Sequence, residues 1–247
     1  MTEGARGEPV PVEEQRSSLL SHLEELRWRV FKMFIAVIVG AIAAFVFTDQ
    51  LRDILQAPFE SAAPGFRLQA LTVTEEWGVL MRVALFGGVI LASPVVLYQV
   101  WAFVHPALTK KEKKWAIPIV SALVILFIGG VLFGYTVLPK GLDFLLGVFD
   151  EVDNNLRIGD YYSFTLRFLL AFGLAFLYPV FLFAAGAAGI VSSEQLARGR
   201  RWAVLAVVVA AALITPTGDV LNLMILAVPL YLMYEVTYWL IRLILKK

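Results

Sequence analysis

Two acids set among cations are the first residues with chemistry to offer. Glu25 stands beside Arg27 and Arg29, and Glu112 interrupts the run Lys110-Lys111-Glu112-Lys113-Lys114. Neighbouring cations keep a carboxylate ionised, and so keep it an acceptor. Two such carboxylates on one surface suit a ligand with paired guanidinium groups, because a guanidinium fork engages a carboxylate through two hydrogen bonds and an ammonium does not. The same acids read equally as solvated charges balancing the local lysines. Glu235 is a different kind of acid. It lies inside an apolar run, flanked by Tyr234, Val236 and Tyr238. An acid at membrane depth is a functional-site candidate by default; the plainer reading is an inward-facing side chain satisfied by tyrosine or backbone groups.

Little else supports catalysis. The two histidines, His22 and His105, fall in different segments, and His22 with Glu25 lacks the further ligands a metal site needs. No nucleophile, base and acid stand at a familiar spacing, and no glycine-rich phosphate loop appears. The absence of cysteine excludes disulfides, thiolate metal sites and cysteine nucleophiles. No enzyme, cofactor or metal is expected. A hydrophobic share of 60% and a mean hydropathy of +0.78 are too apolar for a soluble domain. A net charge of +1 gives no field to attract nucleic acid.

The elements that must position these acids are membrane helices. Leu19, Leu20, Leu23, Leu26 and Val30 recur at three- and four-residue intervals, and Ser21 with Glu24 matches a capping box. This predicts an amphipathic helix at the membrane surface that runs straight into a span, with Glu25 and Arg29 sharing a face away from the apolar stripe. Six apolar segments follow, at about 28–48, 77–104, 115–138, 162–190, 202–215 and 220–244. The fifth, about fourteen residues or ~21 Å of helix, is short against a ~30 Å hydrocarbon core. It ends in a tight turn, Thr215-Pro216-Thr217-Gly218-Asp219, where Asp219 reads as an N-cap for the sixth. Fifteen Lys and Arg residues fall on one set of termini and loops and four on the other, so both termini are predicted to be cytoplasmic. Residues 1–18 read as a flexible cytoplasmic tail. The loops 49–76 and 139–161, with Pro58 after an amphipathic piece, read as caps over the outer helix ends. All six tryptophans fall near predicted span ends, as an interfacial belt requires. Arg82 and Arg167 read as snorkelling cations, and Pro94, Pro118, Pro179 and Pro229 as helix bends.

With these residues in hand, the chain resembles the TatC family, the multi-span subunit of the twin-arginine protein translocase, over nearly its whole length. His22-Leu23-Glu24-Glu25-Leu26-Arg27 is similar to the family's amino-terminal signature. Ser93 to Phe103, then Pro106-Ala107-Leu108 and Glu112, is similar to its second-span and first-loop motif, and Leu213 to Asp219 to its T-P-x-x-D turn. The resemblance implies one all-α polytopic domain over 1–247, six tilted helices in a concave, glove-like arrangement. It implies a receptor for signal peptides bearing two consecutive arginines, with Glu25 and Glu112 as their pocket and Arg27 and Phe103 close by. Implied partners are single-span TatA- and TatB-type subunits, further copies of the chain and the lipid bilayer of a prokaryotic inner membrane. Folded cargo would cross on the proton-motive force. The family's polar residue deep in the fourth span is replaced here by Leu177, a departure for which Glu235 or Tyr178 could substitute, and Pro58 matches a family proline with a structural role.

Two other readings remain open from the residues alone. A secondary transporter of a small solute would use Glu235, although no internal repeat supports it. A passive scaffold would tolerate neutral residues at 25 and 112.

Overall fold

The computed structural model describes residues 12–104, 116–147, 155–214 and 220–245. These form helices α1 (Val12–Phe45), α2 (Thr48–Ala62), α3 (Val73–Val104), α4 (Ala116–Gly147), α5 (Ile158–Ala175), α6 (Tyr178–Ala187), α7 (Ser193–Ile214) and α8 (Val220–Leu240). A π-helical turn, Ile241–Leu245, continues α8. Strands β1 (Arg67–Gln69) and β2 (Asn155–Arg157) pair in parallel, Leu68 opposite Leu156. Among the described residues, four helical stretches are long and apolar enough to cross a bilayer: Leu23–Phe45, Val73–Phe103, Ile117–Asp143 and Ile158–Ala187. The chain is an all-α polytopic membrane protein, and α7 and α8 occupy the fifth and sixth expected segments.

Each expected segment is helical, but several ends move. Helix α1 starts at Val12, so Ser21 lies inside it rather than capping it, and part of the expected tail is helical. At 34 residues α1 is about 51 Å long. Counting back ~20 residues from Phe45 puts the edge of the hydrocarbon core near Leu26, so Glu25 sits at the interface. Helix α4 runs past its expected end, through Pro139 to Gly147, because Val137, Leu138 and Leu142 are buried there and packing overrides the proline. The fourth segment breaks in two: α5 ends at Ala175, and α6 starts at Tyr178 with Pro179 in its first turn. Helix α7 begins nine residues before Trp202, so Arg198, Arg200 and Arg201 are helical.

Interior prolines leave carbonyls without a helical donor, and side chains supply one. Pro58 lies inside α2, four residues after Ile54, whose carbonyl accepts instead from the Tyr135 hydroxyl of α4 at 2.8 Å. Tyr161 Oη donates to Leu55 O at 2.5 Å, so two tyrosines pin the kinked helix to α4 and α5. The structural role expected of Pro58 thus has a mechanism: it frees a carbonyl that becomes a docking point. In α3, Pro94 frees Ile90 O, which Ser93 Oγ takes at 2.7 Å. Beyond α2, Ala63-Pro64-Gly65-Phe66 closes a turn with Phe66 N donating to Ala63 O at 3.1 Å; the φ of 102° at Gly65 is open to glycine at little cost.

Helix α1 packs extensively on α3 and leaves most of its apolar surface bare. Their contact is backbone to backbone. A Cβ on Gly88 would stand 2.5 Å from Ala41 N, and one on Gly40 would stand 2.6 Å from Gly88 O. Small residues permit such approaches, which drive helix association where no hydrophobic effect operates. Elsewhere the core is aromatic: Phe168 and Phe172 of α5 sit 4.6 Å apart, with Phe133 of α4 6.0 Å from Phe172.

Gly88→Val is expected to force α1 off α3, at a cost of about 1–3 kcal/mol. Gly129→Ala, at a site with open space, should be silent. Apparent melting temperatures in detergent check this; equal midpoints for both variants would show that the close approach is dispensable.

Candidate functional site

The end of the bundle carrying Glu25 is built by α1 and α3. Arg29 Nε and Nη2 both donate to Glu25 Oε1, at 2.9 and 2.5 Å, the shared face expected from their spacing. Arg29 Nη1 reaches across to Gln99 Oε1 of α3 at 3.3 Å. The two helices keep one antiparallel register: Arg29 opposes Gln99 and Gly40 opposes Gly88, eleven residues on along each. One turn further out, Glu25 falls level with Phe103, which is half-buried on α3. Helix geometry thus sets these two candidate residues at one level of the bundle. Arg27 is different. Two residues from Glu25 on a helix is roughly 160° around the axis, and Arg27 opens onto another face, in a groove of about 590 Å³ with Glu24, Trp28, Phe31 and Phe34. Glu112, His105 and Trp115 lie outside the described residues, as does Asp219.

The second acid site lies between α7 and α8. Glu235 Oε2 accepts from Arg200 Nη2 at 2.8 Å and Oε1 from Tyr231 Oη at 2.8 Å, so both carboxylate oxygens are engaged. The Arg200 guanidinium also lies 4.7 Å from the Tyr238 ring centre. The tyrosine that satisfies Glu235 is Tyr231, one turn before it, rather than its flanking neighbours. Tyr178 donates to Leu230 O and joins α6 to α8. It lines an apolar groove of about 350 Å³ with Leu182, Ala203, Ala206 and Tyr234 among its walls. Leu177 is buried on the other side, packed with Leu97, Trp101, Leu123 and Phe127. Tyr178 and Glu235 make their own contacts elsewhere, with Leu230 O and with Arg200 and Tyr231.

One expectation about a single residue changes, and two polar ties come into view. Trp101 belongs to that cluster, 1% exposed, not to an interfacial belt, whereas Trp28, Trp77, Trp202 and Trp239 are exposed. Arg82, an exposed cation near the outer end of its span, also has polar partners: its Nη1 donates to Ser163 Oγ at 2.8 Å and Gly159 O at 3.3 Å, joining α3 to α5. The hub beside it escaped sequence reading altogether. Glu75 Oε1 accepts from Arg157 Nε at 2.7 Å and Gly159 N at 3.0 Å, and Oε2 from Leu71 N at 2.9 Å. A Cβ on Gly159 would fall 2.5 Å from that carboxylate. Glu75, with its side chain 6% exposed, thereby locks the start of α3 to β2 and α5.

The family model for the Sec-independent protein translocase protein (TatC) matches residues 21–229. The chain belongs to the TatC family. It is 39% identical over 233 residues to the Aquifex aeolicus Sec-independent protein translocase protein TatC, covering 93% of this chain and 96% of that one. Its identity to the chloroplastic TATC of Oryza sativa is 38% over 233 residues, 94% of this chain and 64% of the plant protein. A crystal structure of the twin-arginine translocase receptor TatC superposes with a TM-score of 0.74 at 38% identity, over 90% of this chain and 98% of that chain. Membership makes this a protein-transport chain, a subunit of translocation machinery and not an enzyme.

In this TatC chain the Arg200–Glu235 pair is expected to be a structural tie. Glu235→Gln should lower stability by about 1.5–3 kcal/mol, the range for hydrogen bonds to charged groups. Replacing both residues by leucine should recover much of that, since the stranded guanidinium goes too. Melting midpoints of the single and double variants decide; strictly additive losses would mean the pair does not interact.

Proposed function

We propose that this TatC chain is the translocase's receptor for twin-arginine signal peptides. The observation that carries the reading is the state of Glu25. Its carboxylate already holds a guanidinium through two N–H groups, at an interface end shared with Phe103, and that guanidinium is the chain's own Arg29. A peptide arginine can exchange with Arg29 at little net cost, because one charge-assisted fork replaces another. Glu112 follows Phe103 by a short stretch of sequence and supplies the second carboxylate, so two adjacent arginines meet two acids. Arg27, on the opposite face of α1, contacts the peptide's flanking residues or the lipid surface and not the arginine pair.

The charge bias of the loops supports a cytoplasmic position for this end and for both termini, in the inner membrane of a prokaryote. Six spans, with α7 and α8 the last two, form the receptor. TatA- and TatB-type single-span subunits and further copies of the chain assemble on its bare apolar helix faces, and folded cargo crosses on the proton-motive force without nucleotide, metal or nucleic acid. Six helices enclose no passage wide enough for a folded protein, so the conducting path is made by the assembly.

Binding of a twin-arginine signal peptide to the purified protein, beside a twin-lysine version, tests this. The lysine peptide is expected to bind at least ~10-fold more weakly. Glu25→Ala and Glu112→Ala should each abolish the difference. Equal binding of both peptides, unaltered in the two variants, would reduce both acids to surface charges.

A further inference from the structure

At the end of α8 two guanidinium groups converge on one tyrosine. Arg200 lies over the Tyr238 ring at 4.7 Å, and Arg242 Nη1 donates to the Tyr238 hydroxyl at 2.8 Å. Arg242 also lies 5.5 Å from the centre of the Trp239 ring. Arg200 is balanced by Glu235. Arg242 is exposed, and among the described residues no acid pairs with it. Its recorded partners are a hydroxyl and an indole face. Neutral groups hold it in place without cancelling its charge, and most of a guanidinium's five N–H donors remain to face outward.

The surroundings fit a phospholipid. Trp239 and Trp202 are exposed, and indoles favour the headgroup level. Arg201 lies 6.0 Å from the Trp202 ring centre, and the sequence after the π-helical turn reads Lys246-Lys247. Leu232, Val236, Trp239 and Leu243, spaced by three and four residues, form one exposed apolar stripe along α8 beside Arg242. We propose that Arg242, positioned by Tyr238 and Trp239, binds the phosphodiester headgroup of an anionic phospholipid whose acyl chain lies along that stripe. The planar guanidinium offers paired donors to two phosphate oxygens. A zwitterionic lipid carries the same phosphate with its own cation, so the site prefers a net negative headgroup. The proposal stands independently of the receptor reading.

Native mass spectrometry of the full chain in detergent tests it, with phosphatidylglycerol and phosphatidylcholine of identical acyl chains at equal mole fraction. Phosphatidylglycerol is expected to be retained about five-fold more, the effect of one arginine beside an anionic headgroup. Arg242→Gln should bring the two lipids to parity. Tyr238→Phe, which removes the hydroxyl but keeps the ring beneath Arg200, should weaken the preference too. Arg167→Gln, an exposed arginine at the far end of the bundle, should leave it intact. Equal retention by the unsubstituted chain, or an unchanged preference in a monodisperse Arg242→Gln protein, overturns the proposal. So does displacement of the lipid by millimolar glycerol phosphate, which would make the ligand a soluble phosphate.

Discussion

The contact on which the candidate receptor end depends is the meeting of two backbones at Gly40 and Gly88. In lipid, an apolar helix gains nothing from leaving apolar surroundings, so α1 stays on α3 only through close van der Waals packing and the few polar contacts that join them. A methyl group at Gly88 would stand inside the backbone of α1. That approach fixes the antiparallel register, and the register sets Arg29 against Gln99 and Glu25 level with Phe103. A carboxylate on a helix that carries so much bare surface owes its position to a glycine contact fifteen residues along that helix.

The same scarcity of water explains the rest of the polar architecture. An unpaired carbonyl costs several kcal/mol in hydrocarbon, so every helix break must be compensated. Pro58 and Pro94 each free a carbonyl, and Tyr135 and Ser93 take them. Charges follow the same rule. Glu75 accepts three hydrogen bonds at one end of the bundle, and Glu235 two at the other. Each joins segments distant in sequence, so the compensation also serves as a tie between helices. Arg242 stands apart because its recorded partners are neutral.

Much of this was legible in the sequence, for physical reasons that can be named. Apolar run length located all six helical segments, and spacing by four gave the Glu25–Arg29 pair, because both signals are local. Tertiary contacts were not local. Tyr135 reaching Ile54 and Arg157 reaching Glu75 span about eighty residues, and neither tyrosine nor glutamate announces a partner at that range. Trp101 misled because an interfacial tryptophan and a buried one near a helix end have the same local sequence. The Arg200–Glu235 pair had a signal that could have found it. The two residues are equidistant in sequence from Thr217–Gly218, the middle of the expected turn, and helices of an antiparallel hairpin rise equally, so the pair is expected to be level. At the fourth-span position where the resemblance implies a polar residue, Leu177 is buried in an apolar cluster.

Recognition of a twin-arginine peptide requires Glu25 and Glu112 to face the same arginine pair. Because the chain has no cysteine, single cysteines can be placed beside the two acids, at 21 and at 113, and, as a control at the opposite end, at the exposed Glu76. A signal peptide with a thiol-reactive group beside its two arginines should label the first two positions and not the third, with labelling suppressed by excess unmodified twin-arginine peptide and not by its twin-lysine form. Labelling at neither position, or equal labelling at Glu76, would contradict a twin-arginine pocket at this end of the bundle.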